Sequence, residues 1–180
     1  MPVTILVGVQ WGDEGKGKII DVLTENADMV VRFQGGNNAG HTVETGDKKY
    51  VLHLIPSGIL RKGRACVIGN GLVVDPIALQ SEMHELQEKD IDVSAVMLST
   101  RSQLIMPYHR MMDSLRESTG TGEKKIGTTK RGIGPSYADK AYRTGIRGID
   151  LLNLSVFEAK FKEECQHYNK LFALFGAPQI

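Results

Sequence analysis

Eleven residues near the amino terminus, Gly8-Val9-Gln10-Trp11-Gly12-Asp13-Glu14-Gly15-Lys16-Gly17-Lys18, combine the types that a phosphate cradle needs. Glycines let backbone N–H groups converge on an anion, a helix amino terminus behind them adds a positive dipole, and lysine neutralises phosphate charge. The run departs from the common G-x-x-x-x-G-K-[ST] pattern. Six residues rather than four separate Gly8 from Gly15, and Gly17 stands where a Mg²⁺-binding hydroxyl would be. The loop carries Asp13 and Glu14 instead, carboxylates that oppose a phosphate unless one holds a cation or handles a proton. A turn with exposed acids is the alternative. Lys16 and Lys18 argue against it, because cations at the positive end of a helix are unfavourable unless an anion sits there.

Two further clusters carry chemistry. Asn38-Ala39-Gly40-His41-Thr42 places an imidazole in a loop of small residues. A lone histidine is more often structural, so its setting has to raise the case. Gly127-Thr128-Thr129-Lys130-Arg131-Gly132-Ile133-Gly134-Pro135 joins hydroxyls, two cations and glycines, which suits a loop closing over a phosphorylated ligand. Nucleic acid uses similar charges, but aromatic residues are sparse and no basic helix carries the cluster.

These clusters need a sheet to bring them together. Val3 to Val9 is a β-branched run that predicts a strand buried in a parallel sheet, and Ile19, Ile20, Val22 and Leu23 fall at helical spacing behind the loop. Strand, glycine loop and helix open an α/β unit. A second strand over Met29–Phe33, running beside the first, would deliver its loop to the same carboxyl edge. Asp13 and His41 would then face one another across a phosphate, a carboxylate to take a proton and an imidazole to donate one.

Further along, Gly46-Asp47 predicts a turn between strands near Thr42–Glu44 and Tyr50–Leu54, and Cys66–Ile68 a short strand closed by Gly69-Asn70-Gly71. Asp75 and Pro76 predict a helix start with Ile77, Met83 and Leu86 on its apolar face. A strand over Val93–Leu98 and a helix over Tyr108–Arg116 follow. Gly120 to Pro135 has the composition of a mobile loop. The last helix, about Ser155 to Leu174, packs through Val156, Phe157, Phe161, Leu171 and Phe172 and ends at Gly176.

Composition excludes several classes. Twelve of the 20 glycines lie within residues 1–71 and seven within 120–148, with no fixed period, so collagen-like and low-complexity organisation fail. Net charge is +1, although residues 101–150 hold ten Lys or Arg against five acids. Cys66 and Cys165 have no metal or redox spacing and read as reduced thiols of a cytoplasmic protein. The amino terminus lacks a basic n-region and reads as neither signal peptide nor membrane span. No internal repeat or linker divides the chain, so residues 1–180 read as one α/β nucleotide-binding region.

Five motifs in order are highly specific: Gln10 to Lys18, Gly40-His41-Thr42, His53-Leu54-Ile55-Pro56-Ser57-Gly58, Ile68-Gly69-Asn70-Gly71, and Gly127-Thr128-Thr129 with Arg131 to Pro135. Together they resemble the adenylosuccinate synthetase family. The resemblance implies an incomplete P-loop-like α/β fold, a mostly parallel sheet flanked by helices. It implies a GTP-dependent ligase joining IMP to L-aspartate, with Mg²⁺ required and 6-phosphoryl-IMP as intermediate. By matching, Asp13 takes the N1 proton of IMP and His41 donates to the β–γ phosphates. Gly12, Asp13, Glu14, Gly15, Lys16, Gly17, Lys18, Gly40, His41 and Thr42 match the GTP contacts. Asp13, Glu14, Gly15, Lys16, Asn38, Ala39, Gly40, His41 and Thr129 match the IMP contacts, and Asp13 with the Gly40 carbonyl match the metal ligands. Arg143 resembles an arginine that reaches the IMP phosphate of the partner subunit, which implies a homodimer. Members of the family are more than twice as long, their additional portion carrying guanine recognition and aspartate binding. The resemblance thus implies an amino-terminal portion, inactive by itself. Two rivals from other classes are a non-catalytic nucleotide-binding module and a distinct P-loop NTPase.

Overall fold

A ten-residue strand, β4 (Ala65–Val74), organises the molecule, with Cys66, Ile68, Leu72, Val73 and Val74 fully buried along it. The computed structural model describes residues 2–9, 16–45, 48–119 and 127–180. Strand β1 (Met29–Gly35) runs parallel to β4, with Met29 opposite Ala65 and Gly35 opposite Leu72. On the other side β5 (Val96–Leu98) pairs in parallel with Cys66–Ile68, and β6 (Gln103–Leu104) with Val73–Val74. A separate antiparallel hairpin joins β2 (His41–Thr45) to β3 (Lys48–Leu52), as the turn signal at Gly46-Asp47 predicts, although those two residues lie outside the described ones.

Five helices accompany these strands among the described residues: α1 (Lys16–Leu23), α2 (Pro76–Gln87), α3 (Pro107–Thr119), α4 (Ile133–Tyr142) and α5 (Leu154–Leu174). Asp75 caps α2 as its sequence predicts, its Oδ1 accepting from Ile77 N at 3.1 Å and Ala78 N at 3.2 Å. Asn153 caps α5 in the same way, and Gly176 leaves that helix at φ +64°. Tyr108, Phe172, Leu52, Leu54, Leu104 and Ile146 are among the large side chains sealed in the core. Both cysteines are free thiols, and among the described residues no helix is long and apolar enough to cross a membrane.

Several sequence expectations are corrected. The run Val3 to Val9 takes no strand pairing, and Val3, Ile5, Val7 and Val9 are exposed. Among the described residues β1 pairs with β4 alone, so no described neighbour covers the predicted first strand. β-branched residues favour strands chiefly through packing, and these find none. Ile19, Val22 and Leu23 of α1 stay exposed for the same reason.

The glycines at 69 and 71 do not close β4; the strand continues through them. A Cβ on Gly71 would stand under 3.0 Å from the Phe33 carbonyl oxygen, where the pairing register shifts between Arg32 and Gln34, so glycine permits a close approach inside the sheet. Ile77, at the first turn of α2, faces solvent, while Leu79, Glu82 and Leu86 form the buried stripe. Only Val96–Leu98 of the predicted Val93–Leu98 is strand. Val156 of α5 is exposed, whereas Phe157, Phe161 and Leu171 pack on the core. Helix α4 replaces the end of the predicted loop. Pro135 sits in its first turn, where a missing N–H breaks no helical bond.

Candidate functional site

Two of the candidate residues, Gly17 and His41, meet where α1 packs against β2. Gly17 lies against the imidazole of His41: a Cβ on Gly17 would stand under 3.0 Å from its Cε1 and Nδ1. Four residues further along α1, Asp21 Oδ1 is 3.4 Å from His41 Nε2, and both side chains are about a quarter exposed. The helix behind the glycine–lysine loop therefore carries both the space for the imidazole and the carboxylate that orients it. This contact, not a strand pairing between Val3–Val9 and β1, brings His41 to the loop's end. Gln10 to Gly15 lie outside the described residues, and with them the expected positions of Gly12, Asp13, Glu14 and Gly15. Among the described residues no group of three or more His, Cys, Asp or Glu could hold a metal ion.

The loop from Gly36 to Gly40 is held from below by charged side chains. Arg32 donates through Nη1 to the His53 carbonyl and through Nη2 to the Gly36 carbonyl at 2.9 Å. Burial pushes the Arg32 guanidinium below its ordinary pKa, and the Glu82 carboxylate opposes that effect. Glu82 is buried in α2 and accepts three backbone N–H bonds, from His53 and Ile55 on Oε1 at 2.8 and 3.1 Å and from Leu54 on Oε2 at 2.8 Å. His53 is thereby fixed beside Gly40, where a Cβ would stand 3.1 Å from its Nε2.

The segment 127–132 is less loop-like than its composition. Glu117 of α3 accepts from Gly127 N at 3.2 Å and Thr128 N at 3.5 Å, and Asp113 accepts from Gly132 N at 2.9 Å. Gly132 adopts φ +77°, and a Cβ there would stand 2.8 Å from Arg110 N, so only glycine lets the segment cross α3 so closely. Arg131 Nη1 donates to the Asn37 carbonyl, tying this segment to the loop before His41. Thr129 is exposed at the segment's crest. Asn37, His53, Glu82, Arg110, Lys130 and Arg131 are among the residues lining a concavity of about 370 Å³ between the two segments. Arg143, at φ +65° on the carboxyl end of α4, lies on a separate concavity of about 480 Å³ with Arg147, Asp150, Lys160 and Glu164.

Helix α4 is anchored in turn by a buried network. His109 Nδ1 accepts from Met106 N at 2.8 Å, leaving Nε2 to donate to Asp139 Oδ2 at 2.8 Å, and the Tyr168 hydroxyl donates to the same carboxylate. The sequence motifs do not include Arg32, Asp21, Glu82 or Asp113. Only Glu82 left a signal, as a carboxylate at the centre of a helical stripe flanked by Leu79 and Leu86.

A mostly parallel sheet flanked by helices, with a glycine–lysine segment opening a helix against an imidazole, defines a member of the α/β class that binds ligands at loops beyond its strands. The adenylosuccinate synthetase family model matches residues 5–179. The adenylosuccinate synthetase of Magnetococcus marinus is 56% identical over 95% of this chain and 40% of its own length, and that of Nitratidesulfovibrio vulgaris 54% identical over 98% and 42%. Among solved structures, the fully ligated adenylosuccinate synthetase of Plasmodium falciparum superposes with a TM-score of 0.83 at 43% identity, covering 93% of this chain and 39% of that one. The succinoaminodeoxyadenylate synthetase of cyanophage S-2L, bound to dGMP and dATP as an energy donor, gives 0.60 at 25% identity, covering 74% of this chain and 36% of that one. The chain belongs to the adenylosuccinate synthetase family. It spans about 40% of the length of the curated relatives it matches.

Proposed function

We propose that residues 1–180 form the nucleotide-binding region of a GTP-dependent ligase that joins IMP to L-aspartate. The reaction would run through 6-phosphoryl-IMP and yield adenylosuccinate, GDP and phosphate. The observation that carries this proposal is the seating of Gly17 against His41, which brings the end of the glycine–lysine loop onto the Gly-His-Thr motif. Activating a purine oxygen needs a base on N1 and an electrophilic phosphate held in line, and phosphoryl transfer gains mostly from such positioning.

In this proposal Asp13 accepts the N1 proton, the purine O6 attacks the γ-phosphate of GTP, and aspartate then displaces the phosphate from C6. His41, oriented by Asp21, donates toward the β–γ phosphates as charge develops there. Gly12 to Lys18 and Gly40 to Thr42 would contact GTP, and Asp13 to Lys16, Asn38 to His41 and Thr129 would contact IMP. The Asp13 carboxylate and the Gly40 carbonyl form a hard oxygen donor set, which suits Mg²⁺ completed by phosphates and water. That ion, when bound, would neutralise phosphate charge. Arg143 reaches the IMP of a second subunit, making the assembly a homodimer, and the protein works in the cytoplasm.

Because the relatives are longer, the 180-residue chain by itself is expected to bind nucleotide without turning over. An assay of adenylosuccinate formation from IMP, GTP and aspartate, run beside calorimetric titration with IMP and Mg²⁺–GTP, tests both halves. Robust turnover would refute the expectation for the chain. Absence of IMP binding, or GTP hydrolysis without IMP, would refute the ligase assignment.

A further inference from the structure

Tyr137 lies outside every motif that the sequence singles out, yet its hydroxyl sits on three backbone atoms of two neighbouring strands, the N–H and carbonyl of Gly35 at the end of β1 and the carbonyl of Gly71 inside β4. It accepts from Gly35 N at 2.9 Å and stands 3.0 Å from the Gly35 carbonyl and 2.9 Å from the Gly71 carbonyl. One phenol has one proton, so it accepts one bond and donates one, shared between the two carbonyls. Gly35 is the residue at which β1 ends, at φ +101°, and from there the chain runs through Gly36 and Asn37 to Asn38–His41. Its neighbours in α4 reinforce the join. A Cβ on Gly36 would meet Ile133 Cδ1 at 2.5 Å, and Lys140, with Nζ 5.7 Å from the Tyr137 ring centroid, donates to the Asn70 carbonyl. Just before α4, Arg131 holds the Asn37 carbonyl.

We infer that Tyr137 is a positioning residue that couples the two IMP-facing segments, fixing the root of the Asn38–His41 loop to the helix that follows Thr129. The inference rests on the IMP assignment above and goes beyond it, because nothing in the motif matching gives Tyr137 a role. The geometry explains how distant pieces move together. A ligand phosphate drawing in the Thr129 segment pulls on Ile133 and Arg131, and the Tyr137 hydroxyl transmits that displacement to Gly35 rather than letting the loop slip over the helix. Bonds to backbone atoms suit such a task, since they fix the main chain without restricting the side chains that meet the ligand.

The test uses the 180-residue chain and Tyr137→Phe, which keeps the ring and removes only the hydroxyl. Amide hydrogen exchange is read residue by residue, with the urea midpoint measured alongside. Exchange at Gly35 and through the loop to His41 is expected to accelerate by about tenfold or more, with β4 core amides and the midpoint little changed. IMP affinity is expected to fall by about tenfold. Unchanged exchange at Gly35–His41, or acceleration spread evenly over the chain, would overturn the inference. Wild-type protein that binds no IMP would instead sink the IMP assignment, while the exchange result still decides whether Tyr137 governs the loop. Arg131→Met provides a second arm: if coupling runs through α4, it loosens Asn37–His41 as well, and a loop indifferent to both substitutions refutes the coupling.

Discussion

Gly17→Ala should separate folding from function. Gly17 is the second residue of α1, and a helix prefers alanine there by roughly 0.5–1 kcal/mol. The new Cβ would stand under 3.0 Å from two atoms of the His41 ring, against an ordinary contact of about 3.4 Å or more, so the imidazole must swing outward by about an ångström. That movement breaks the 3.4 Å contact with Asp21, a partly exposed pair whose loss costs about 1 kcal/mol or less. The two terms offset each other. In a domain of this size 1 kcal/mol moves Tm by about 2–4 °C, so the midpoint should stay within about 3 °C of wild type. Function should not survive as well, because His41 no longer points where phosphate charge would develop. Mg²⁺–GTP affinity, read by calorimetry, should fall by about tenfold, equivalent to about 1.4 kcal/mol. Ring resonances of the five histidines supply the structural control, with His41 shifting and His84, His109 and His167 staying in place. A His41 resonance that does not move would refute the geometry, and a Tm drop of 10 °C or more would refute the offset.

Four other outcomes follow from the same structure. Burial, then the Asp139 and Glu163 carboxylates, push the Glu164 carboxyl up to about 7 from an ordinary 4.5. The folded state then keeps a proton that the unfolded chain releases, so stability falls as pH rises from about 4.5 to about 7. Halved because Glu164 lines an open concavity, the cost is about 1–2 kcal/mol; Glu164→Gln should exceed wild type by that margin at pH 8 and match it at pH 4.5, and equal urea-derived differences at both pH values would contradict the assignment. Gly71→Ala drives a methyl into the Phe33 carbonyl and should cost about 3 kcal/mol, visible calorimetrically as a Tm loss of about 10 °C. Gly134→Ala, with nothing within 4 Å of the new methyl, should change stability by less than about 1 kcal/mol, and a larger loss would show that the α4 start is tighter than described. Burial raises the Cys66 thiol to about 11, so a thiol reagent at pH 8 should label it only on unfolding; rapid native labelling would contradict its burial.

What was legible in the sequence was local. The cap at Asp75-Pro76, the pairing of the two strands that flank Gly46-Asp47 and the close of α5 at Gly176 each depend on a few adjacent residues whose preferences nothing nearby opposes. The motifs around His41 and Thr129 were legible because their residue types are rare at that density. Long-range matters were not. Whether Val3–Val9 forms a strand depends on a neighbouring edge, and no periodicity reports which edge exists. The glycines of Gly69-Asn70-Gly71 read as a strand's end because an isolated glycine punctuates far more often than it admits a crossing backbone. Only the partner's position, Phe33 against Gly71, separates the two meanings.

The same distinction bears on the site. Residues expected to touch phosphate announce themselves by type, whereas those that aim them do not. Arg32, Glu82 and Tyr137 act on backbone atoms of Gly36, His53 to Ile55, and Gly35, and any sequence offers a carbonyl or an N–H at every position. A side chain that binds backbone leaves no complementary residue to search for. The glycine-rich stretches have few side chains to hold themselves, so their order must come from such outside supports, here α2 beneath the His41 loop and α4 beside it. The long glycine-free stretch between residues 72 and 119, which supplies Glu82, Asp113 and Glu117, is therefore what gives the candidate loops their shape rather than a spacer between them.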